Sequence, residues 1–348
     1  MSDVPPDGAS SPTRLPLGVE VAEGWLRMVA ARADATITGN QTGRRWRRQL
    51  SAPSSPGEAL AALNTLIGQA LTDQSGDPEP ALRPGAIGLA LWDNVDPARG
   101  VTYGIRHASP TSGWDDFPLA KRLADHWQAP VALQPAVAAA GLAEVTHGAG
   151  QGYRVALYLH SGRTIASALI TRGEITPGAT GRSGMLGHWL IAADGPRCSC
   201  GLRGHLDPLA SAQSIIRTTI GLASGSDEST AAMLRVSGGR AEAMTVKQVA
   251  QLAHEGDPAA RTVLENAWDA LAAALANLVA ALDPDVIILG GAPAEAGEAF
   301  CGPLRERLAA LCGSWRPVPD LLPGHLEART AALIGAGLLA QKATPSGR

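Results

Sequence analysis

Residues 184–207 of the chain read GMLGHWLIAADGPRCSCGLRGHLD and contain four residues of the types that hold zinc in proteins. His188 comes first, Cys198 and Cys200 follow with one residue between them, and His205 comes last. Two thiolates and two imidazoles are a tetrahedral Zn²⁺ set, and a site with four protein ligands is structural rather than catalytic. We therefore predict one structural zinc; the alternative is two free cysteines beside two unrelated surface histidines.

The segments after this stretch have the pattern of an α/β protein. Residues 258–282 have helical periodicity, with Asp257 as the expected N-cap. Residues 285–289 form an apolar run typical of a buried strand. Residues 327–341 predict an amphipathic helix that closes the fold.

The rest of the chain follows one plan twice. Each copy begins with an antiparallel meander, predicted at residues 17–21, 25–31 and 35–38 in the first copy and at 153–159, 164–171 and 174–176 in the second. In the first copy, helices at 56–71 and 119–127 alternate with apolar strands at 86–91 and 130–133. Two α/β lobes with a cleft between them are expected, and ligands usually bind in such clefts.

Bulk composition argues against two classes of partner. Lysine and arginine (29) nearly balance aspartate and glutamate (32), so a net charge of −3 gives no electrostatic footprint for nucleic acid. No apolar stretch approaches the roughly 18 residues that suggest a membrane span. Residues 1–14 are polar and lack the apolar segment of a signal peptide, so we expect a disordered tail on a cytoplasmic protein.

The basic run RRWRR at 44–48 is interpreted as an exposed hairpin tip, with a phosphate or nucleic-acid patch as the alternative.

Residues 184–188 and 198–207 resemble the signature of the ROK family (repressor, open reading frame, kinase), which includes bacterial glucokinases. That signature reads Gly-Glu-x-Gly-His, then Cys-x-Cys-Gly-x-x-Gly-Cys-x-Glu, and this chain keeps its spacing throughout. His205 replaces the last cysteine and is an acceptable zinc ligand in its place. Weaker similarity at residues 109–123, 131–144 and 282–291 extends the resemblance over most of the chain.

The resemblance implies an α/β chain with the two-lobed, actin-like ATPase (ribonuclease H-like) fold and a zinc-binding insertion. It divides the chain into an N-terminal lobe at 15–135, a C-terminal lobe at 136–325 with the zinc loop at 180–207, and a closing helix at 326–343. It also implies a homo-oligomer, most simply a homodimer. ROK repressors carry a winged helix before the first strand, and the residues before that strand here are too few for one, so no DNA-binding domain is expected.

The resemblance places two phosphate-binding loops on this chain, and both depart from the family. The first loop, Asp-x-Gly-Gly-Thr in the family, falls on residues 20–24, where Glu20 replaces the aspartate. Glu23 would bring negative charge toward the phosphates. The second loop, Gly-Thr-Gly-x-Gly, begins at Gly162 and keeps only that glycine, although Arg163 could hold an anion.

A third nucleotide contact of the family falls on Gly290 and Gly291, which this chain keeps. Glycines at that place let the backbone approach an adenine ring. A plain strand-to-helix turn is the alternative interpretation.

The family's sugar contacts fall on Pro135, Ala136, Met185, His188 and Asp207. His188 keeps its type, and Asp207 conservatively replaces a glutamate. Met185 removes a bidentate acceptor for sugar hydroxyls, so ordinary glucose affinity should be lost. Ala136 takes the place of the catalytic aspartate, and a methyl group cannot accept a proton.

These losses predict a ROK-family protein with degenerate kinase motifs that is non-catalytic and acts as a scaffold for a ligand or a partner. One alternative is an ATP-dependent kinase for a hexose or amino sugar with a base from elsewhere. Asp115 and Asp116 are the nearest candidates in sequence, although surface charge or helix capping is the favoured interpretation. A second alternative is a transcriptional regulator that lacks its own winged helix.

The expected cofactor is structural Zn²⁺, joined by ATP and Mg²⁺ only if the protein is a kinase. The expected partner is a carbohydrate-like molecule or a protein.

Overall fold

The computed structural model describes residues 14–22, 25–30, 45–49, 55–72, 83–92, 94–103, 114–313, 317–327 and 330–345. The strands of these residues are, in chain order, β1 (Arg14–Ala22), β2 (Trp25–Ala30), β3 (Arg45–Gln49), β4 (Arg83–Leu91), β5 (Val95–Asp96), β6 (Val101–Thr102), β7 (Val131–Pro135), β8 (Val155–Ser161), β9 (Ile165–Thr171), β10 (Glu174–Ile175), β11 (Val286–Gly291) and β12 (Asp320–Pro323).

The helices of the described residues are α1 (Pro56–Thr72), α2 (Leu119–Trp127), α3 (Ala136–His147), α4 (Asp207–Ala210), α5 (Ala212–Ala223), α6 (Asp227–Val236), α7 (Val246–His254), α8 (Pro258–Leu282), α9 (Ala292–Ala296), α10 (Glu298–Cys312) and α11 (Ala331–Ala343). Short 3₁₀ turns lie at Leu186–His188 and Ala241–Ala243. None of these helices combines the length and the apolar composition that crossing a membrane requires.

The N-terminal sheet has the strand order β3-β2-β1-β4-β7. The first three strands of the chain pair antiparallel, whereas β4 lies parallel to β1 and to β7. β4 is buried along almost its whole length, as an apolar strand covered on both faces should be. The strands predicted at 17–21 and 86–91 are confirmed, and the one predicted at 25–31 is confirmed over its described residues, 25–30.

The edge of this sheet corrects the interpretation of the basic run. Residues 45–48 form most of β3 rather than the tip of a hairpin. Arg47 stacks on Trp25 of the neighbouring strand, with its guanidinium carbon 3.5 Å from the ring centroid. Cations next to an aromatic ring are stabilised, and charged side chains on an edge strand discourage pairing with other chains. The basic run therefore has a structural role at the edge of the sheet, which the interpretation as a hairpin tip did not predict.

Two predictions fall on residues outside those described: the strand at 35–38 and the tail through residue 13. Arg14, the last residue of that predicted tail, opens β1 instead. It pairs with Arg83 at the start of β4, so the sheet begins earlier than the apolar pattern indicated.

The C-terminal sheet repeats the plan of the first, with the order β10-β9-β8-β11-β12. Its first three strands pair antiparallel, and β11 lies parallel to both β8 and β12. The shared plan of the two halves is thereby confirmed. On the outer side, α8 begins at the predicted N-cap, where Asp257 accepts a hydrogen bond from the N–H of Ala260 at 2.8 Å.

Helices α3 and α11 pack against each other, and α11 also covers β1 and β4. The approach is close because glycine faces the helix: a Cβ on Gly88 would lie only 1.9 Å from the carbonyl oxygen of Ala336. The helix starts at Ala331, four residues later than predicted, because the carbonyl of Glu327 first forms a turn with the N–H groups of Thr330 and Ala331.

Candidate functional site

The four residues predicted to bind zinc lie together, with their donor atoms all within 4.8 Å of one another. Nδ1 of His205 is 3.4 Å from Nδ1 of His188 and 3.3 Å from Sγ of Cys200. Sγ of Cys198 is 3.8 Å from Nδ1 of His188. Ligands on tetrahedral zinc, with bonds of about 2.0–2.3 Å, stand about 3.3–3.8 Å apart, so the donors fit the ion. Burial raises the pKa of the Cys198 thiol, so its thiolate needs a neighbouring cation.

Backbone contacts fold the loop so that its two ends meet. Leu190 and His205 form an isolated antiparallel bridge, which returns His205 to the 3₁₀ turn that carries His188. Gly204 makes the return possible, since it has a φ of +76° and a Cβ there would lie 1.8 Å from the carbonyl oxygen of Ala192. The sequence therefore specifies the metal-ligand geometry through its glycines as well as through its ligands.

A cavity of about 210 Å³ lies between the two lobes, beside this loop. All five residues that the resemblance assigns to the sugar line it: Pro135, Ala136, Met185, His188 and Asp207. Cys200 lines it as well, so the candidate metal site forms part of the cavity wall. Residues far apart in the chain are thus brought to one cleft.

The residue to which the resemblance assigns the family's base, Ala136, presents a buried methyl group. Ala136 is the first residue of α3 and is 1% exposed. Asp207 is the one carboxylate among the described residues that line the cavity. Its Oδ1 accepts a hydrogen bond from the N–H of Ile165 at 2.6 Å, and burial raises its pKa. The carboxylate groups of the cavity wall are therefore limited to one, which already has a backbone partner.

The two aspartates considered as substitute bases lie elsewhere. Neither Asp115 nor Asp116 lines the cavity. Asp116 is 62% exposed and pairs with Arg99 at 2.8 Å, which fits the surface-charge interpretation. The N-cap of the following helix, α2, is Pro118 and has no side-chain capping bond, so helix capping is not what they do there.

The two segments that match the phosphate loops are bridged by one aromatic side chain. Glu20 of β1 is buried, and its Oε1 accepts hydrogen bonds from Nη2 of Arg27 at 2.8 Å and from Nε1 of Trp92 at 2.7 Å. The Trp92 ring in turn packs against His160 of β8, with centroids 4.6 Å apart. Because His160 lies just before Gly162, Trp92 occupies the space between the two segments.

Burial affects the pKa values of the two ionisable groups that Trp92 contacts, Glu20 and His160. Burial raises the pKa of Glu20, and the attraction of Arg27 opposes that rise. Burial lowers the pKa of His160 to about 4, so the ring is neutral at pH 7. Oε2 of Glu20 and Nδ1 of His160 are buried and lack a hydrogen-bond partner among the described residues. The bridge therefore joins an ion pair on one lobe to a neutral ring on the other.

The glycines assigned to the nucleotide have packing partners of their own. A Cβ on Gly290 would lie 2.0 Å from the hydroxyl oxygen of Tyr158, and one on Gly291 would lie 2.4 Å from the carbonyl oxygen of Ser161. Gly291 also has a φ of +73°. Packing alone accounts for both glycines, which supports the plain-turn interpretation. Glu23 of the first loop lies outside the described residues.

Sequence reasoning missed Trp92 and Arg182 as cavity residues. Trp92 follows the end of β4, and a large aromatic directly after a buried strand at the predicted cleft was a usable signal. Arg182 lies in the Gly-rich stretch just before the signature segment, where a lone cation carries no spacing pattern. Its role emerges only from its neighbours in space.

Comparisons with known proteins agree on the family. The ROK family model matches residues 32–343. A glucokinase from Thermotoga maritima is 31% identical over 222 residues, which is 64% of this chain and 68% of that protein. A glucokinase from Halalkalibacterium halodurans is 30% identical over 260 residues, 74% of this chain and 77% of that one.

A solved structure of similar fold is the ROK family glucokinase from Streptomyces griseus in complex with glucose and AMPPNP. It is 24% identical, with a TM-score of 0.74 over 94% of this chain and 99% of that chain. The fold is accordingly the α/β, actin-like ATPase fold of ROK sugar kinases. Family match, relatives and fold lead to one conclusion: the chain belongs to the ROK family.

Proposed function

We propose that this ROK-family chain binds a small ligand in the interlobe cleft without transferring phosphate. The observation that carries the proposal is the methyl group of Ala136, which lines the cavity where the family has its base. A general base must come within about 2.6–3.2 Å of the proton that it takes and typically contributes about 10²–10⁴ in rate. Alanine provides no such group.

The phosphate side of the cleft supports the same proposal. The carboxylate of Glu20, which stands for the family's loop aspartate, is buried and paired with Arg27. Trp92 lies against that carboxylate and against His160, next to both segments that the resemblance assigns to the phosphates. A nucleotide would have to displace the half-buried ring of Trp92 and separate an ion pair, and we expect neither.

We further propose that Zn²⁺ binds at His188, Cys198, Cys200 and His205. Four protein ligands leave no open position for a substrate, so the ion supplies structure rather than chemistry. His188 and Cys200 also line the cavity. The metal would thus hold one wall of the ligand site in shape.

A second candidate function is an ATP-dependent sugar kinase with Mg²⁺, and two observations favour it. The relatives described above carry the name glucokinase at about 30% identity. Asp207 lines the same cavity as Ala136 and is the carboxylate available there to serve as a replacement base. The comparisons favour this candidate, whereas the geometry of the cleft favours the first.

Calorimetry and an ADP-release assay with the full chain separate the two candidates. The first candidate expects no heat from MgATP and no ADP with glucose, mannose or N-acetylglucosamine. The second expects sugar-dependent ADP release that falls about 10²-fold or more in Asp207→Asn and stays unchanged in Asp194→Asn. Asp194 is a matched control because it is exposed in the same loop and does not line the cavity.

A further inference from the structure

The charges that line the cavity are mostly positive. Arg163 and Arg182 both line it, against the single carboxylate of Asp207. That carboxylate accepts the N–H of Ile165 and so is already partly neutralised by a backbone donor. A cavity with this lining attracts anions and repels cations.

Arg182 is held in position by an aromatic ring of the opposite lobe. Its guanidinium carbon lies 4.1 Å from the ring centroid of Tyr103. The hydroxyl group of Tyr103 donates a hydrogen bond to Oδ2 of Asp96 at 3.0 Å, which fixes the ring in turn. Stacking of this kind orients the planar guanidinium and leaves its N–H edge available for an oxyanion.

The acidic groups near Arg182 already have partners. Oδ1 of Asp96 accepts the N–H groups of Ala98 and Arg99, and Oδ2 accepts the hydroxyl of Tyr103. Asp116 pairs with Arg99. Among the described residues no carboxylate forms an ion pair with Arg182, so its charge is left for a ligand.

One part of the cavity wall is apolar and suits a ligand with an apolar body. Pro135, Ala136, Val137 and Met185 line the cavity and offer no side-chain acceptor. Hydroxyl groups of a neutral sugar that lay against these four residues would be buried without side-chain partners, and each unpaired group lowers affinity. A ligand with an apolar body next to these residues and an oxyanion at Arg182 fits both the apolar and the cationic part of the cavity wall.

We propose that the cleft binds a small organic oxyanion, a carboxylate or a phosphate monoester with a compact apolar body, and that Arg182 is its main charge contact. The proposal shares its site with the function proposed above and deepens it by naming the class of ligand. It does not depend on whether ATP is turned over, since its main contact, Arg182, lies outside the segments that the resemblance assigns to the nucleotide.

Isothermal titration calorimetry with the full, zinc-loaded chain tests this, with phenyl phosphate, benzoate and glucose as probes and no nucleotide. We expect phenyl phosphate or benzoate to bind at least about tenfold more tightly than glucose, because a charge-assisted bond to arginine is worth about that factor. Whichever of phenyl phosphate and benzoate binds more tightly indicates whether the site prefers a phosphate monoester or a carboxylate.

Arg182→Met keeps the length and the apolar stem of the side chain, and we expect it to weaken binding of the preferred probe at least about tenfold. Arg217→Met, on the exposed face of α5 away from the cavity, should leave the affinity unchanged. Binding of glucose as tight as that of both anions, no binding of either anion, or equal affinities for wild type and Arg182→Met would each overturn the proposal. A failure of the proposed non-catalytic function would be seen as ATP turnover. This titration contains no ATP, so the two failures can be told apart.

Discussion

At the scale of single residues, Cys200 serves two structures at once, since its thiol belongs to the candidate zinc site and also lines the ligand cavity. Its place in the metal site was predictable because ligand spacing is a local property of the sequence. Its place in the cavity wall was not, since that depends on how the loop returns along the bridge between Leu190 and His205.

We predict that Cys200→Ser lowers the zinc content from about one ion per chain to none, because a hydroxyl is a poor substitute for a thiolate on zinc. The melting temperature should fall at the same time, since metal binding stabilises the local fold. Elemental analysis and thermal unfolding measure the two effects. Asp194→Asn, exposed in the same loop, is the control, and an unchanged zinc content in Cys200→Ser would rule out the site.

His160 predicts a pH dependence of stability. Its pKa is lowered to about 4 in the folded chain, and the unfolded value is about 6.5. Between these values the unfolded chain binds more protons, so the stabilisation present above pH 6.5 is lost as the pH falls. The loss is about 2 kcal/mol between pH 7.5 and pH 5.

Urea unfolding of His160→Gln at both pH values isolates this contribution. The variant should lose about 2 kcal/mol less than wild type over that interval, whatever its absolute stability. His126→Gln, which changes an exposed histidine, should behave as wild type. Equal pH dependences for wild type and His160→Gln would mean that the buried ring is not neutral as we describe.

At the scale of elements, the packing of α11 depends on small residues that the sequence pattern did not reveal. Helices and buried strands such as α8 and β4 were predictable because their periodicity or apolar run is continuous. The contact of Gly88 with the backbone of Ala336 joins segments far apart in the chain, and no local pattern encodes it. The same reason hid the packing of Trp92 against His160.

We predict that Gly88→Ala destabilises the chain by about 1–3 kcal/mol or more, because its methyl group would lie 1.9 Å from the carbonyl oxygen of Ala336. Gly221→Ala is the matched control, since Gly221 lies in α5 with nothing within 4 Å of the added methyl. That control should stabilise the chain by up to about 1 kcal/mol through helix propensity. Equal melting temperatures for Gly88→Ala and wild type would contradict the close approach.

At the scale of the whole molecule, the chain has the fold of the ROK sugar kinases, and we propose that its cleft lacks the groups that such a kinase uses. The two sheets share one strand order, and the cavity lies between the lobes that they form. Family membership and the cleft position of Ala136 were both predictable from motifs. The contacts of Trp92 with Glu20 and His160 and the position of Arg182 in the cavity wall required the three-dimensional arrangement.

The central claim is that this cleft holds a ligand but does not transfer phosphate. Its most direct test is transfer of the labelled terminal phosphoryl group of ATP to sugars, measured with the purified full chain across a panel of hexoses and amino sugars. We expect no sugar phosphate above the level found without protein. Saturable, protein-dependent formation of a sugar phosphate from any member of the panel would contradict the claim.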